Sequence, residues 1–198
     1  MREVKVRLAV VERLCLPDLG LPQIIVREMA YLQFRMVSET IALGCLLVHE
    51  DIPATQGPKF RKEYNADVLL KKLDGLHPDF YPKPMLRTEI APGRLSFNGI
   101  NPAEAMPKTE LMALYAKLGD KLHKGSLKNL LKQQPAKQND IIERDVRPIA
   151  QKFYKLLSLH LIMRLGGTDN FICLMQNPED GGDVQVAYAE AHSGPDGE

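Results

Sequence analysis

The chain has 198 residues, the length of one domain or of one domain with an appendage. Its 26 Lys and Arg residues nearly balance 25 Asp and Glu residues, and a formal net charge of +1 lacks the basic signature of a dedicated DNA-binding domain. Hydrophobic residues make up 44% of the chain, which is enough for a substantial core. The three cysteines, Cys15, Cys45 and Cys173, are scattered. This pattern indicates reduced thiols in a cytoplasmic protein rather than a disulfide framework.

The first element covers residues 3–16 and fits two periods. Its apolar residues alternate with polar ones at the start, as in a strand, but they also recur along one face of a helix, as Val4, Leu8, Val11 and Leu14 do. The length and the charges of the segment favour the helix. The same charges interrupt the N-terminus too often for a signal peptide. The break from Pro17 to Pro22 is short, so this helix and the next element are predicted to pack together.

The longest apolar run predicts a helix over about residues 22–49. One set of apolar residues recurs every three or four positions: Ile25, Met29, Leu32, Met36, Leu43 and Leu47. A second set fills much of the remaining surface: Ile24, Val26, Ala30, Phe34, Val37, Ile41, Ala42, Cys45, Leu46 and Val48. A helix that is apolar nearly all round is a buried one, so a buried core helix is predicted, with Gly44 permitting close approach of a neighbour. Its charged residues exclude a membrane span, and no other segment is long and apolar enough for one.

The section at about residues 50–107 is rich in proline and glycine and predicts an irregular excursion. Two short elements interrupt it: a helix from about Phe60 to Leu73, with Tyr64, Val68 and Leu69 facing inward, and a short strand at Arg94 to Phe97. Irregular chain of this length within a compact domain indicates either a functional excursion or a mobile flap.

Three helices are predicted to follow. Thr109 can cap a helix that begins at Glu110 and ends around His123 or Lys124. A short helix follows Ser126, and a third opens at Asp140, in which Pro148 either introduces a kink or marks the true first turn.

The C-terminal part changes character, with segments rich in strand-forming residues at 158–165, 170–175 and 183–191. Turn compositions separate them, so an antiparallel three-stranded meander is predicted. The predicted fold class is therefore α+β and mainly helical, a helical core around one long buried helix with a C-terminal meander. Residues 1–191 form the predicted single domain, and 192–198 a disordered tail.

One polar pair interrupts the long helix and is a candidate site. Arg35 and Glu39 stand four residues apart, one above the other on a helix, in a row that Arg27 and Tyr31 continue. Such a row could line the pocket of a small-molecule enzyme, with Arg35 and Glu39 as catalytic residues. The alternative is a structural ion pair at the edge of the core, the commoner cause of this pattern.

A second candidate site is the lysine-rich stretch from Tyr115 to Lys132. It offers Lys117, Lys121, Lys124 and Lys128 as nucleic-acid-binding residues. His123 lies among them and would be a catalytic proton carrier near pH 7, with Tyr115 and Glu110 as helpers. The alternative is an ordinary solvated helix face that uses lysine.

No motif in the chain predicts a metal or a cofactor. His49, Glu50 and Asp51 cluster at the end of the long helix, and a solvated helix end is predicted there rather than a metal site. Two functions remain. The first is a non-catalytic interaction protein that binds a protein partner or a second copy of itself, for which the open sheet edge is available. The second is a nucleic-acid-binding protein or small RNase, and neither involves a membrane.

Overall fold

A computed structural model describes residues 1–17, 19–92, 94–122, 141–166, 169–175 and 182–190 of the chain. The helices in this part are α1 (Arg2–Leu14), α2 (Gln23–Val48), α3 (Pro58–Arg61), α4 (Ala66–Leu76), α5 (Lys108–Leu122), α6 (Ile141–Asp145) and α7 (Arg147–Leu157). The strands are β1 (Lys83–Ala91), β2 (Arg94–Gly99), β3 (Leu159–Met163), β4 (Asp169–Leu174) and β5 (Gln185–Glu190). The α+β, mainly helical fold class is confirmed.

Helix α2 is the hub of the helical layer. It packs against α1, α4, α5 and α6, and Phe34 stacks on Phe153 of α7 with ring centroids 5.6 Å apart. The first element is the helix that its length and charges favour. The four apolar residues on one face of α1 are all buried against the core: Val4, Leu8, Val11 and Leu14.

The sheet has five antiparallel strands in the order β2-β1-β3-β4-β5. Strands β3, β4 and β5 form the predicted meander, and Gly166 takes the left-handed backbone (φ 98°) in the β3–β4 turn. The prediction of three strands was too low because β1 and β2 form a hairpin that joins the sheet through Lys83 and Pro84 of β1.

The section 50–107 is therefore much less irregular than predicted. Two 3-10 helices (Pro53–Gln56 and Pro102–Glu104), α3, α4 and the β1–β2 hairpin occupy most of it. Helix α4 begins later than expected because Asn65 caps it, its side chain accepting from the Val68 N–H at 3.3 Å. Tyr64, predicted to face inward, precedes this cap and is 80% exposed.

The helix after residue 107 begins at Lys108, one residue before the predicted cap at Thr109. Pro148 lies in the first turn of α7, next to the break after α6. Of the two roles considered for this proline, the start of a helix is therefore the one observed. The predicted helix after Ser126, the Asp140 cap and the tail 192–198 lie outside the described residues.

The prediction that α2 is buried all round was wrong. The second apolar set supplies the buried face: Val26, Ala30, Phe34, Val37, Ile41, Ala42 and Cys45. The other apolar set, which recurs every three or four positions from Ile25 to Leu47, lies on the opposite face and points to solvent. Gly44 lies on the exposed side, with no atom within 4 Å of the position a Cβ would take, so it does not serve close packing within this chain.

Candidate functional site

The predicted pair on α2 forms a closed set of contacts with Tyr115 of α5. Arg35 Nη2 donates to the Tyr115 hydroxyl at 2.8 Å, and this hydroxyl donates to Glu39 Oε1 at 2.8 Å. Arg35 Nε lies 3.4 Å from the same carboxylate oxygen. The guanidinium carbon lies 4.2 Å from the centre of the Tyr115 ring, within the range of a cation–π interaction.

The electrostatics of this cluster fit an interhelical bridge. Burial raises the pKa of the Tyr115 phenol, and the hydrogen bond to Glu39 and the Glu39 charge raise it further, while Arg35 opposes them. The phenol therefore stays protonated and remains a donor to the carboxylate. The Arg35 and Glu39 side chains are 28% and 24% exposed, so the pair lies at the edge of the core rather than sealed within it.

A glycine makes the bridge possible. A Cβ at Gly119 would lie 2.8 Å from Arg35 Nη1, closer than real Cβ contacts allow. The missing side chain leaves room for the guanidinium between α2 and α5. Sequence reasoning missed this residue, although a glycine within a predicted helix, where it is unfavourable, was a usable signal.

The lysine-rich surface is only partly described. Lys117 and Lys121 are exposed on α5, as predicted for nucleic-acid contact and equally for a solvated face. His123, Lys124 and Lys128 lie outside the described residues, so their relation to Arg35 and Glu39 stays a prediction. The proposed helper Glu110 is engaged elsewhere, because its carboxylate contacts Lys152 Nζ on α7 at 2.6 and 2.7 Å.

The predicted solvated helix end at residues 49–51 is wrong for His49, which is fully buried. Its Nδ1 lies 2.7 Å from the Cys45 carbonyl oxygen, and its Nε2 lies 3.0 Å from that of Met163. His77 Nε2 lies 2.9 Å from the same Met163 oxygen. The two histidines thus tie the ends of α2 and α4 to the end of β3. Within the described residues no group of three metal-ligating side chains converges.

The feature that sequence reasoning missed is an exposed apolar face on α2. We call it the apolar stripe, and it consists of Ile25, Met29, Leu32, Met36, Leu43 and Leu47. Met36 is half-buried, and the other five are 41–67% exposed. At 1.5 Å per residue the stripe is about 33 Å long. It exposes roughly 500 Å² of apolar surface, at the upper end of the largest patches on monomeric proteins.

The borders of the apolar stripe are polar and internally paired. On the α1 side, Arg7 Nη1 donates to Gln33 Oε1 at 3.0 Å. On the α5 side lies the bridge of Arg35, Glu39 and Tyr115. The candidate pair is thus one rim of the stripe.

At its C-terminal end the stripe opens into a groove of about 880 Å³. Leu43, Leu46, Leu47 and Phe171 supply apolar lining, and charged residues from three parts of the chain join them: Glu50, Asp51, Arg61 and Arg164. Arg164 Nη2 pairs with Asp51 Oδ2 at 2.7 Å. Neither Arg35 nor Glu39 lines this groove.

By length and composition, α2 also meets the criteria for a membrane-crossing helix, which the sequence prediction did not allow. Its most apolar stretch has a mean hydropathy of 1.2 and is 39% buried within the fold, and α2 is the single such helix among the described residues. The helices packed on its other face are those expected around the core helix of a globular domain.

No protein-family model, no curated protein and no solved structure matches this chain.

Proposed function

We propose that this chain is a non-catalytic interaction protein that binds a protein partner through the apolar stripe of α2. The single observation that carries the proposal is the exposure of large apolar residues along one face of a helix whose opposite face is packed in the core. The largest apolar patch on a soluble protein is often functional, and an apolar patch rimmed by polar residues is typical of a protein–protein contact. Helix-in-groove recognition uses anchors at the same three- and four-residue spacing.

The rims favour a protein over a membrane surface. An interfacial helix carries many free basic residues beside its apolar face, which attract anionic lipid. In the rims, Arg35 pairs with Glu39 at 3.4 Å, and Arg7 pairs with Glu3 at 2.7 Å. Their charges are largely compensated within the fold, which leaves shape and apolar contact as the main source of affinity.

Site-specific photo-crosslinking tests this proposal. A photoreactive residue placed at Leu32, the centre of the N-terminal half of the stripe, is expected to capture a protein in the cells that make the chain. The matched control carries the same group at Val6, which belongs to α1, lies outside the stripe and is 63% exposed. Equal capture at both positions, or no protein adduct at position 32, refutes the proposal. Capture of lipid in place of protein refutes it as well.

A further inference from the structure

We infer that the partner of the apolar stripe is a second copy of this chain, with the two α2 helices packed antiparallel about a two-fold axis at Met36. This inference rests on the proposed function, because it names the protein that the stripe binds.

Apart from Leu32, whose counterpart is Thr40, the residues of the stripe are spaced symmetrically about Met36. Ile25 and Leu47 are each eleven residues from it, and Met29 and Leu43 are each seven residues from it. A two-fold interface must use the same patch on both copies and be complementary to itself. Antiparallel packing centred on Met36 meets this condition. It places Met29 against Leu43 of the second copy and Ile25 against Leu47.

The ends of α2 favour antiparallel over parallel packing. Pro22, which precedes the helix, provides no side-chain cap, and α2 has no acidic residue in its first turn and no basic residue in its last turn. The exposed Glu50 lies just beyond its C-terminal end, and its neighbour Asp51 is paired with Arg164. Antiparallel packing brings Glu50 beside the uncapped N-terminus of the other α2, whose partial positive charge it complements. Parallel packing would bring the two Glu50 carboxylates together.

The available area reaches the lower limit for a specific interface. The stripe supplies roughly 500 Å² per copy, so two copies bury at most about 1,000 Å² in total, which is the smallest area expected of a biological interface. The groove at the C-terminal end of the stripe adds to this area, because the antiparallel arrangement brings the other copy's Leu21 and Ile24 towards it. Both residues are exposed, at 45% and 41%. Gly44 has open space around its Cβ position, which permits a second helix to approach closely.

Sedimentation and light scattering over a concentration series test the inference on the purified chain. The wild type is expected to be a dimer at micromolar concentration. Met29→Lys and Leu43→Glu should each raise the dissociation constant at least about 100-fold, since each places a charge against an apolar side chain of the other copy. Val6→Lys, on another exposed surface, should leave the dissociation constant unchanged, and all three variants should keep the wild-type circular dichroism spectrum, which shows that they remain folded.

Mixing the two stripe variants tests the orientation. In an antiparallel heterodimer one contact pairs the lysine introduced by Met29→Lys with the glutamate introduced by Leu43→Glu, and the other contact remains Met29 against Leu43. An equimolar mixture is therefore expected to recover dimer that neither variant forms alone. Parallel packing would place positions 29 and 43 at opposite ends, and the mixture would stay monomeric, which overturns the inference.

The outcomes separate this inference from the proposed function. A wild-type chain that stays monomeric at about 100 μM, well above typical micromolar dissociation constants, refutes the second copy. If crosslinking at Leu32 then captures a different protein, the proposed function stands and the inference alone fails. If crosslinking captures nothing, both fail. A dimer that survives Met29→Lys and Leu43→Glu unchanged also refutes the inference, because its interface lies elsewhere.

Discussion

Acid should destabilise the fold through His160. This residue lies on β3, is 1% exposed, and has its Nδ1 3.1 Å from the Leu157 carbonyl oxygen. Burial lowers its pKa from the ordinary value of 6.5 to about 4, against the opposing effect of the Leu157 carbonyl. Between these two values the unfolded chain binds a proton that the native chain does not. Stability therefore falls as the pH falls from 6.5 towards 4, by about 3 kcal/mol in total, most of it already lost by about pH 4.5.

His160→Leu isolates this contribution. Leucine removes the titrating ring and leaves an apolar side chain of similar size in the same position. At pH 7 the variant should be less stable than the wild type by about 1 kcal/mol, because the hydrogen bond to the Leu157 carbonyl is lost. At about pH 4.5 the order should reverse, with the variant more stable by about 1 kcal/mol.

Urea unfolding at half-unit pH steps from about pH 7 to 4.5, the range that brackets the titration, measures both proteins. The carboxylates of the chain also lose stability in acid, but they are identical in the two proteins and cancel in the difference. The difference in the free energy of unfolding between wild type and variant could instead stay constant over this range. That result would refute the reasoning, because it would mean that His160 binds its proton as readily in the native state as in the unfolded chain.

Two further predictions concern α5. Gly119→Ala should leave stability nearly unchanged in the wild type, because the helix gain of about 1 kcal/mol is offset by displacing Arg35 from Tyr115, and should stabilise an Arg35→Met background by about 1 kcal/mol. Equal effects on urea unfolding in both backgrounds would contradict the bridge. For the nucleic-acid hypothesis, Lys117→Glu with Lys121→Glu should weaken single-stranded RNA binding and reduce its salt slope by about 0.7 per lost phosphate contact. Fluorescence anisotropy measures RNA binding and its salt dependence. If the wild type does not bind RNA, or if the double variant binds it equally well, Lys117 and Lys121 are not nucleic-acid-binding residues.

The sequence predicted α2 correctly as a helix but not which of its faces is buried. Both apolar sets were recognised, and together they predicted that the helix is buried on all sides. Local periodicity reports which residues share a face, not how many neighbours the fold supplies. The β-branched and aromatic residues Val26, Phe34 and Val37 belong to the buried set, whereas the exposed set is mainly Leu and Met. That difference in composition is too small to assign the faces.

The middle section shows a different limit. Strand β1 reads KPMLRTEIA, with a proline and charged residues at positions that single-sequence patterns exclude from a strand. It forms because β3 and β2 supply hydrogen-bonding partners on both sides, and these partners lie far along the chain or across a turn. His49 was misplaced for the same reason. Its buried position depends on the Met163 carbonyl, more than a hundred residues away.

The spacing of the sequence was enough to recognise the candidate pair, but not its contact with α5. Arg35 and Glu39 follow from the four-residue rule, but Tyr115 and Gly119 come from another helix, and only the packing of α5 on α2 brings them together. Tertiary packing therefore turned a predicted ion pair into a bridge with a buried phenol at its centre.

The residues of the apolar stripe contribute less to folding than the residues on the buried face of α2, because they keep 41–67% of their surface exposed, apart from the half-buried Met36. Surface helix positions are filled equally well by Lys, Glu or Gln, which form helices as readily and improve solubility. In the monomer, polar substitutions such as Leu32→Gln should therefore change the unfolding free energy by no more than about 0.5 kcal/mol, whereas in the inferred dimer they also remove stability that association supplies. We therefore attribute this face of six large apolar residues to the partner contact proposed above.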